Sequence, residues 1–343
     1  MSIGLLLIGV CIMSVLATGA IRQYALKRQV LDMPNERSSH EVPIPRGGGG
    51  SIVASSFAGM LVLYVLGDVD SAIVGALIGA GTVVASVGFL DDHRPVQARW
   101  RLPVHFAAAC WAVWGLDGMP PVAFLGDPVN LGLVGDGLAV VALVWLLNLF
   151  NFMDGIDGIA GVETVTTCVG SVLLFALGSV DSREWIMPAV LGMATVGFLV
   201  WNFPTAKIFM GDVGSGFLGL VLGILALRGA SVSPASFWSW AILLGVFIVD
   251  ATVTLLRRLE RHEKLYEAHR SHAYQHAASH AGSHRVVTMA VAAINVFWLL
   301  PIALLVGTGA INGLLGTLVA YSPLVFAAIR FNAGSEPIHA ATP

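Results

Sequence analysis

The centre of the chain reads Asn148-Leu-Phe-Asn151-Phe-Met-Asp154-Gly-Ile-Asp157-Gly-Ile-Ala-Gly161. Two amides and two carboxylates therefore stand at the end of an apolar run that begins near residue 138. Because polar and ionisable groups are costly inside hydrocarbon, such side chains are expected to face protein or water and to serve a function. Asn148, Asn151 and Asp154 recur at every third residue, which places them loosely on one helix face. The alternative interpretation is an ordinary polar helix terminus.

The composition of the whole chain identifies the class of protein. The 343 residues are 56% hydrophobic and 11% charged, with a mean hydropathy of +0.81, whereas a soluble domain carries about 25% charged residues. The apolar runs are close to 20 residues long, which is typical of transmembrane helices and not of barrel strands. We therefore predict an all-α, polytopic membrane helical bundle made of a single domain, residues 1–343. Nucleic-acid binding is not expected, because the chain has no basic domain.

Eleven apolar runs are candidate membrane helices, and the count falls to ten if the short fourth or fifth run does not span. The runs cover residues 2–21, 47–66, 72–90, 102–116, 138–153, 159–178, 185–203, 213–229, 235–255, 286–306 and 310–329. If residue 1 is outside, 16 of the 18 Lys and Arg residues fall in the inner loops. Cytoplasmic loops are enriched in these cations. The sequence therefore predicts an N-out, C-in topology with the polar motifs on the cytoplasmic face.

The first inner loop ends in four consecutive glycines, Gly47 to Gly50, which open the second apolar run. Backbone amides that glycine exposes at a helix N-terminus suit an anion, and Arg37, His40 and Arg46 would add charged donors. These three side chains are candidate substrate-binding residues. A basic loop whose glycines allow close helix packing is the alternative, and on this loop alone it is favoured slightly.

Adjacent carboxylates, Asp91 and Asp92, end the third apolar run. Two like charges side by side repel each other and are costly near hydrocarbon, and a divalent cation would relieve both problems. The alternative is ordinary solvation of a helix end beside Arg94, Arg99 and Arg101.

A short inner loop precedes the eighth apolar run and contains one acid, Asp212, and one cation, Lys207. The glycines around Asp212 leave backbone N–H groups accessible at the start of the next helix, which is again an anion-binding geometry. Mg²⁺ is usually held by one or two carboxylates, waters and substrate phosphates. Asp212 beside a phosphate cradle matches that pattern.

Histidines repeat at intervals of three and four residues in the loop 256–285, so that a single helix would present them on one face. They are His269, His272, His276, His280 and His284. Zinc is possible from the spacing, but His, Arg and Lys side chains also suit a diphosphate. Asp250, inside the ninth run, is predicted to pair with Arg257 or Arg258.

Acids, phosphate-ready glycines and a basic histidine loop thus gather on one face of a membrane bundle. This combination favours a Mg²⁺-dependent enzyme that joins a soluble phosphorylated substrate to a lipid-embedded one. The alternative from another class is a multi-spanning transporter of a phosphorylated or anionic solute. A transporter would place its polar groups near the midplane of the bilayer, whereas here they stand at the predicted helix ends.

The same motifs, in the same order, resemble those of the polyprenyl-phosphate N-acetylhexosamine-1-phosphate transferase superfamily, of the glycosyltransferase family 4 type. The segments that carry the resemblance are Arg37 to Gly49, Phe89-Leu-Asp91-Asp92, Asn151 to Gly161, Phe209 to Ser215, and the histidine loop. The resemblance implies transfer of a sugar 1-phosphate from a UDP-N-acetylaminosugar to undecaprenyl phosphate, with UMP released. It also implies a multi-pass protein of the bacterial inner membrane that initiates O-antigen or another lipopolysaccharide or cell-wall glycan, and it leaves a homodimer open.

By that resemblance, Asp212 is a ligand of Mg²⁺, with Mn²⁺ as the alternative ion. Asp91 and Asp92 are similar to the acidic pair assigned to metal binding or to deprotonation of the lipid phosphate. Asn151 and Asp154 match the nucleotide-side and catalytic positions. The further substrate-binding candidates are Asp157, Lys207, His269 and His272. The histidine loop is closer to initiating enzymes that use N-acetylquinovosamine or N-acetylfucosamine, which leaves the donor sugar open between these and N-acetylglucosamine.

Overall fold

The computed structural model describes residues 2–34, 42–124, 127–177, 183–263 and 270–335. Within these ranges the chain is almost entirely helical, so the prediction of an all-α membrane fold is confirmed. The first helices are α1 Ile3–Arg28, α2 Gly50–Val65, α3 Ser71–His93, α4 Ala98–Gly115, α5 Gly132–Met153, α6 Ile159–Leu177 and α7 Ile186–Asn202. The later helices are α8 Asp212–Val232, α9 Ser236–Leu243, α10 Gly245–Glu260, α11 Ala273–Ala281, α12 His284–Gly307 and α13 Gly313–Arg330.

Each of the eleven predicted apolar runs contains a helix, although residues 47–49 and 310–312 precede their helices and the ninth run is interrupted at Leu244. By length and composition, 8 of these helices could cross a membrane, or 9 if α9 and α10 form one bent span. The two that fall short are α2, with 16 residues, and α4, whose first turn carries Arg99 and Arg101. The predicted count of ten or eleven spans, and the orientation, therefore stay predictions.

Helix α8 forms the centre of the bundle. Of its most apolar 18-residue window, 89% is buried inside the protein, as expected of a helix that is hydrophobic on all sides. Glycines let neighbouring backbones approach it: a Cβ added at Gly219 would lie 2.4 Å from the carbonyl oxygen of Leu146 in α5. We call the end of the bundle where α8 begins the site end, and the end where α8 stops the far end.

Two short antiparallel ladders complete the fold. β1 Leu31–Asp32 pairs with β2 Ile44–Pro45 at the site end and holds the glycine-rich segment against the bundle. β3 Val122–Phe124 pairs with β4 Asp127–Val129 between α4 and α5.

The ninth apolar run is broken, which the sequence analysis did not predict. α9 and α10 are bent by 70° at Leu244. Helix α10 then carries Asp250 towards the site end, and α11 follows in the histidine loop. Because this break redirects the chain inside the bundle, it decides which residues the histidine loop meets.

Candidate functional site

The N-terminus of α8 is capped by a carboxylate of the same chain. Asp92 is 3% exposed, and its Oδ1 and Oδ2 accept hydrogen bonds from the backbone N–H groups of Asp212, at 3.0 Å, and Val213, at 3.3 Å. A negative charge is stabilised there by the unpaired amides and the helix dipole. These two amides therefore bind Asp92, and a phosphate cradle formed by the glycines around Asp212 stays a prediction.

The amides of the glycine-rich segment are also used inside the protein. Gly48 N–H donates to the carbonyl of Phe209 at 2.9 Å, and Gly49 N–H donates to the carbonyl of Met210 at 2.8 Å. A Cβ added at Gly49 would lie 2.3 Å from the Cα of Gly214. Close packing of two loops, the alternative interpretation, thus explains these two glycines, and an anion cradle formed by their amides is wrong.

Arg46 binds the C-terminal end of α3. Its guanidinium donates to the carbonyl oxygens of Asp91, at 3.1 Å, and Asp92, at 2.6 Å, and its Nε lies 3.9 Å from Asp92 Oδ1. A cation is favourable at a helix C-terminus. Arg46 therefore fixes the end of the helix that carries the acidic pair, and its role in substrate binding stays a prediction.

Arg101 joins the two acidic motifs. Its Nη1 donates to Asp91 Oδ2 at 2.6 Å and to Asp212 Oδ2 at 2.8 Å. The other oxygen of Asp91 accepts the backbone N–H of Val96. In the sequence, Arg101 is only one of three cations that follow the end of the third apolar run. Its position in the first turn of α4, opposite the end of α3, was the available signal, but nothing in the sequence distinguished it from Arg94 or Arg99.

A small cavity of about 30 Å³ lies beside this cluster. Its polar lining is Asp212, Arg101, His105, Asn148 and Asn151. Asn151 Nδ2 donates to Ser215 Oγ at 3.3 Å, whereas Asn148 Nδ2 donates back to the Val144 carbonyl at 2.7 Å. The structure thus brings the end of α5 to the start of α8, as the convergence of the motifs predicted.

The donor set suits a hard cation. Oxygens of Asp91 and Asp212 both lie within 2.8 Å of Nη1 of Arg101. Two carboxylates are therefore oriented towards the same positively charged group. Among the residues that the structure describes, no group of three His, Cys, Asp or Glu side chains could hold a metal ion. Mg²⁺ needs only one or two carboxylates from the protein and completes its shell with water and phosphate, so Asp91 and Asp212 are residues that could hold it.

Asp154 follows the last residue of α5 and is half-buried. Burial, then the charges of Asp212, Asp92 and Asp157, hold the pKa of the Asp154 carboxyl well above its usual range. The carboxylates of the candidate site therefore influence one another, which is a common property of functional sites.

Asp157 ties three segments together. It is 6% exposed; its Oδ2 accepts the Ala206 N–H at 2.9 Å, and its Oδ1 lies 3.2 Å from His284 Nδ1. The Asp157 carbonyl accepts Thr288 Oγ1 at 2.8 Å. The carboxylate also borders a polar cavity of about 560 Å³ that is lined by Arg270, His284 and Arg285 among others.

Asp250 pairs with His272, not with an arginine. Its Oδ1 lies 3.2 Å from His272 Nδ1, and its two oxygens accept the N–H groups of Ala273, at 3.0 Å, and Tyr274, at 2.9 Å. The prediction of Arg257 or Arg258 is wrong because the chain turns back after α10 and brings the N-terminus of α11 onto Asp250. The partners of those arginines include the Ala333 carbonyl and Glu263, respectively.

His272 is held against the central acidic stretch. It is 1% exposed, and its ring stacks on Phe152 with centroids 6.4 Å apart. Tyr274 Oη donates to the Phe152 carbonyl at 3.0 Å. Burial, and then the charges of Asp250 and Asp154, raise the pKa of the Tyr274 phenol, which therefore stays a neutral donor.

The histidines do not share one helix face. His272 precedes α11, whereas His284 begins α12. His276 Nε2 lies 3.1 Å from the Ser335 carbonyl, and His280 lines an apolar groove. The structure thus brings His272 and His284 to the candidate site on separate elements, while His269 lies outside the described residues.

Lys207 is exposed, and its Nζ lies 5.8 Å from the centroid of the Trp201 ring. The Lys207 carbonyl accepts Arg22 Nε at 3.1 Å. These contacts are with α1 and α7, so they do not join Lys207 to the acidic cluster. Arg37 and His40 lie outside the described residues, and their predicted roles stay predictions.

Comparisons with known proteins agree with the motifs. Residues 73–230 match the model of glycosyl transferase family 4. The chain is 30% identical over 280 residues to a Bacillus subtilis protein described as "Probable undecaprenyl-phosphate N-acetylglucosaminyl 1-phosphate transferase", covering 80% of this chain and 76% of that one. It is 28% identical over 272 residues to decaprenyl-phosphate N-acetylglucosaminephosphotransferase of Mycolicibacterium smegmatis, covering 73% and 66%.

A third relative acts in a different branch. The phospho-N-acetylmuramoyl-pentapeptide-transferase of Mycolicibacterium smegmatis is 27% identical over 257 residues, which cover 63% of this chain and 70% of that one. The similarity therefore extends to enzymes whose names state different sugar phosphates.

Proposed function

Because the chain belongs to the polyprenyl-phosphate N-acetylhexosamine-1-phosphate transferase family, we propose that it transfers an N-acetylaminosugar 1-phosphate from a UDP-sugar to undecaprenyl phosphate. The observation that carries the proposal is the shared cation position between Asp91 and Asp212 at one end of a membrane bundle. Phosphoryl transfer depends on positioning and on neutralising charge, and this cluster offers both.

The reaction balances without a further reactant. In the net reaction, an oxygen of the lipid phosphate becomes bonded to the phosphorus that bears the sugar, the bond between the two donor phosphates breaks, and UMP leaves with the released electron pair; direct attack and an aspartyl-phosphate intermediate both give this result. Asp212 and Asp91 would hold Mg²⁺, which neutralises charge on the donor diphosphate when it is bound. Arg101 donates to both carboxylates from one nitrogen and so orients them towards each other.

The acceptor needs little help from a general base. The second pKa of a phosphate monoester is about 6, so a lipid phosphate is largely ionised near neutral pH. The acidic pair therefore acts mainly by positioning the metal and the acceptor, with proton removal secondary. The contacts of the two carboxylates support a positioning role. Both oxygens of Asp92 accept hydrogen bonds from backbone N–H groups, whereas Asp91 accepts one from Arg101.

The polar cavity beside Asp157 is the proposed position of the donor nucleotide. Arg270 and Arg285 line it together with His284, and guanidinium groups bind phosphate oxygens in pairs. Its volume of about 560 Å³ lies within the range of small-molecule sites, roughly 300–1,000 Å³.

The proposed setting is the bacterial inner membrane, with the site on the cytoplasmic face. The bias of 16 of 18 cations towards one side supports this orientation. A role in initiating O-antigen or another cell-surface polysaccharide, and a homodimeric state, are parts of the same proposal.

The test is a reconstituted transfer reaction. Purified protein, undecaprenyl phosphate and Mg²⁺ are incubated with UDP-N-acetylglucosamine and with deoxygenated UDP-N-acetylaminosugars, and UMP release and the lipid product are both measured. We expect turnover with at least one donor, loss of turnover in EDTA, and recovery with Mg²⁺ or Mn²⁺. Absence of UMP release with every donor, in protein that remains folded, would contradict the proposal.

A further inference from the structure

A carboxylate of α6 lies inside the bundle, apart from the acidic cluster. Glu163 is fully buried, at 0% exposure, as is Asn295 at 3%. Asn295 opens a π-helical turn within α12, Asn295–Leu299, and such turns often mark functional positions. Nothing in the transfer reaction described above uses either residue.

The amide of Asn295 is fixed by its neighbours. Its Nδ2 donates to Glu163 Oε2 at 2.6 Å and to Thr166 Oγ1 at 2.8 Å. The Thr166 hydroxyl donates its own hydrogen to the Val162 carbonyl at 2.9 Å, so towards Asn295 it can only accept. Both hydrogens of the amide nitrogen are therefore used, and the orientation of the amide follows.

Two oxygens remain. Among the described residues, neither Glu163 Oε1 nor Asn295 Oδ1 has a hydrogen-bond partner. No cation among those residues pairs with Glu163, and the titratable side chain that faces it is Tyr321 of α13. An ionised carboxylate without a partner is very costly in such a place. One proton on Oε1 would satisfy both oxygens, because Oε1–H would donate to Oδ1 while Nδ2–H donates to Oε2.

The pair stands at the break between α9 and α10. Phe247, in the first turn of α10, lies close to the Glu163 carboxylate. Thr167, one turn along α6, donates to the carbonyl of Leu243, the last residue of α9, at 3.4 Å. Tyr321 Oη donates to the Ala241 carbonyl at 2.7 Å. A broken helix leaves amides and carbonyls without partners, and here α6, α12 and α13 surround them.

We propose that Glu163 is a neutral carboxylic acid that forms a cyclic pair with Asn295, and that it is a positioning residue which holds the α9–α10 break. Helix α10 carries Asp250 two turns after the break, and Asp250 binds His272 Nδ1 and the first amides of α11. The pair thus sets where His272 stands, without touching substrate. This last step rests on the proposed function, whereas the protonation state does not.

The test compares four variants in the full-length protein. Glu163→Gln keeps the shape and supplies an N–H in place of the O–H, so it should keep kcat within roughly twofold and the wild-type Tm. Glu163→Leu and Asn295→Leu should lower Tm and reduce kcat roughly tenfold or more, the scale of a misplaced catalytic group. Ser171→Ala is the control, because Ser171 is buried on the same helix and its hydroxyl has no partner among the described residues; it should match wild type.

Two measurements separate positioning from general destabilisation. The infrared difference spectrum between wild type and Glu163→Gln should show loss of a protonated carboxyl band; loss of a carboxylate band instead, or damage in Glu163→Gln equal to that in Glu163→Leu, would overturn the proposal. If Glu163 acts through Asp250, then Glu163→Leu should cost little further activity in an Asp250→Asn background. If the separate losses in kcat caused by Glu163→Leu and by Asp250→Asn multiply in the double variant, the positioning role is wrong.

Failure of the proposed function gives a different result. If no UDP-sugar yields UMP, the transferase proposal fails. The infrared band and the Tm pattern still decide whether Glu163 and Asn295 form the neutral pair.

Discussion

At each end of α8 an arginine is shared by two carboxylates from different segments. At the far end, Arg228 donates from Nη2 to Glu184 at 2.7 Å and to Asp70 at 2.9 Å, and its Nε also binds Glu184. At the site end, Arg101 donates to Asp91 and Asp212 from a single nitrogen. The far-end guanidinium therefore binds its carboxylates through two nitrogens, Nε and Nη2. The site-end guanidinium binds both of its carboxylates through Nη1.

The surroundings differ as well. The far end adds one more matched pair, Arg183 with Asp68. The site end adds two further acids, Asp92 and Asp154, and its second arginine, Arg46, mainly binds backbone carbonyls. Among the side chains just named, acids exceed arginines by one in the far-end group (Asp68, Asp70 and Glu184 with Arg183 and Arg228) and by two in the site-end group (Asp91, Asp92, Asp154 and Asp212 with Arg46 and Arg101). An arginine between two acids is compatible with a structural role at either end, and the site-end group differs in that Asp212 and Arg101 also line a cavity.

The largest expected contrast between the two ends is chemical accessibility. In a chain whose three native cysteines are replaced by alanine, Thr205→Cys tests the site end and Asp127→Cys tests the far end; both positions are exposed. In intact cells, a membrane-impermeant thiol reagent should label only Asp127→Cys, because the cation bias puts the site end inside. Labelling of Thr205→Cys alone would reverse the topology.

The next largest effect is on turnover. Asp212→Asn keeps the size of the side chain and removes the charge that would hold Mg²⁺, so kcat should fall roughly 10²-fold or more while Tm is kept. Arg228→Met at the far end is the matched control and should leave kcat unchanged. If both variants lose activity equally, the functional distinction between the two ends is wrong.

A smaller effect is expected at the Asp250–His272 pair. Asp250→Asn keeps one acceptor for the α11 amides but loses the charge beside His272 Nδ1, so kcat should fall roughly tenfold or more, as when a general acid–base group loses its orientation. Steady-state kinetics of UMP release with saturating donor measure it, and Thr254→Val, which removes the hydroxyl that donates to Asp250 at 3.1 Å, is the milder comparison. A change only in donor KM would place the pair in binding and not in turnover.

Asp92 should behave as a cap as well as an acid. Asp92→Ala leaves the amides of Asp212 and Val213 without their acceptor and should cost about 1–2 kcal/mol of stability. Asp91→Ala should lower the stability less, because Arg101, the main partner of Asp91, still has Asp212 as an acceptor. Thermal unfolding in detergent compares the two variants, and an equal or larger loss in Asp91→Ala would contradict the assignment of the cap.

The smallest effect is expected at the far-end ion pairs. Arg228→Met should lower stability by only about 0.5–1 kcal/mol, because partly exposed ion pairs contribute little. The measurement is again thermal unfolding, with increasing salt expected to narrow the difference from wild type. A loss several times larger would mean that the far end is essential to the fold.

Composition and the length of the apolar runs were sufficient to identify the class of the molecule. Runs of about 20 apolar residues can be satisfied only by membrane helices, so the all-α bundle followed from composition without any knowledge of contacts. The convergence of the acidic, glycine-rich and histidine motifs also followed, because polar residues collect at helix ends. That Asn151 and Asp212 line one cavity is consistent with this inference.

Tertiary structure alone decided how those residues are used. Asp92 and Asp212 are 120 positions apart, and Arg101 and Asp212 are 111 apart, so no local pattern could show that one acid caps a helix while another shares an arginine. The break between α9 and α10 likewise lies in a continuous apolar run. Its contacts come from α6, α12 and α13, and beyond it Asp250 meets His272 and not the arginines that follow it in sequence. Hydropathy is a sum over neighbours in sequence, whereas the choice of a hydrogen-bond partner depends on which helices pack together.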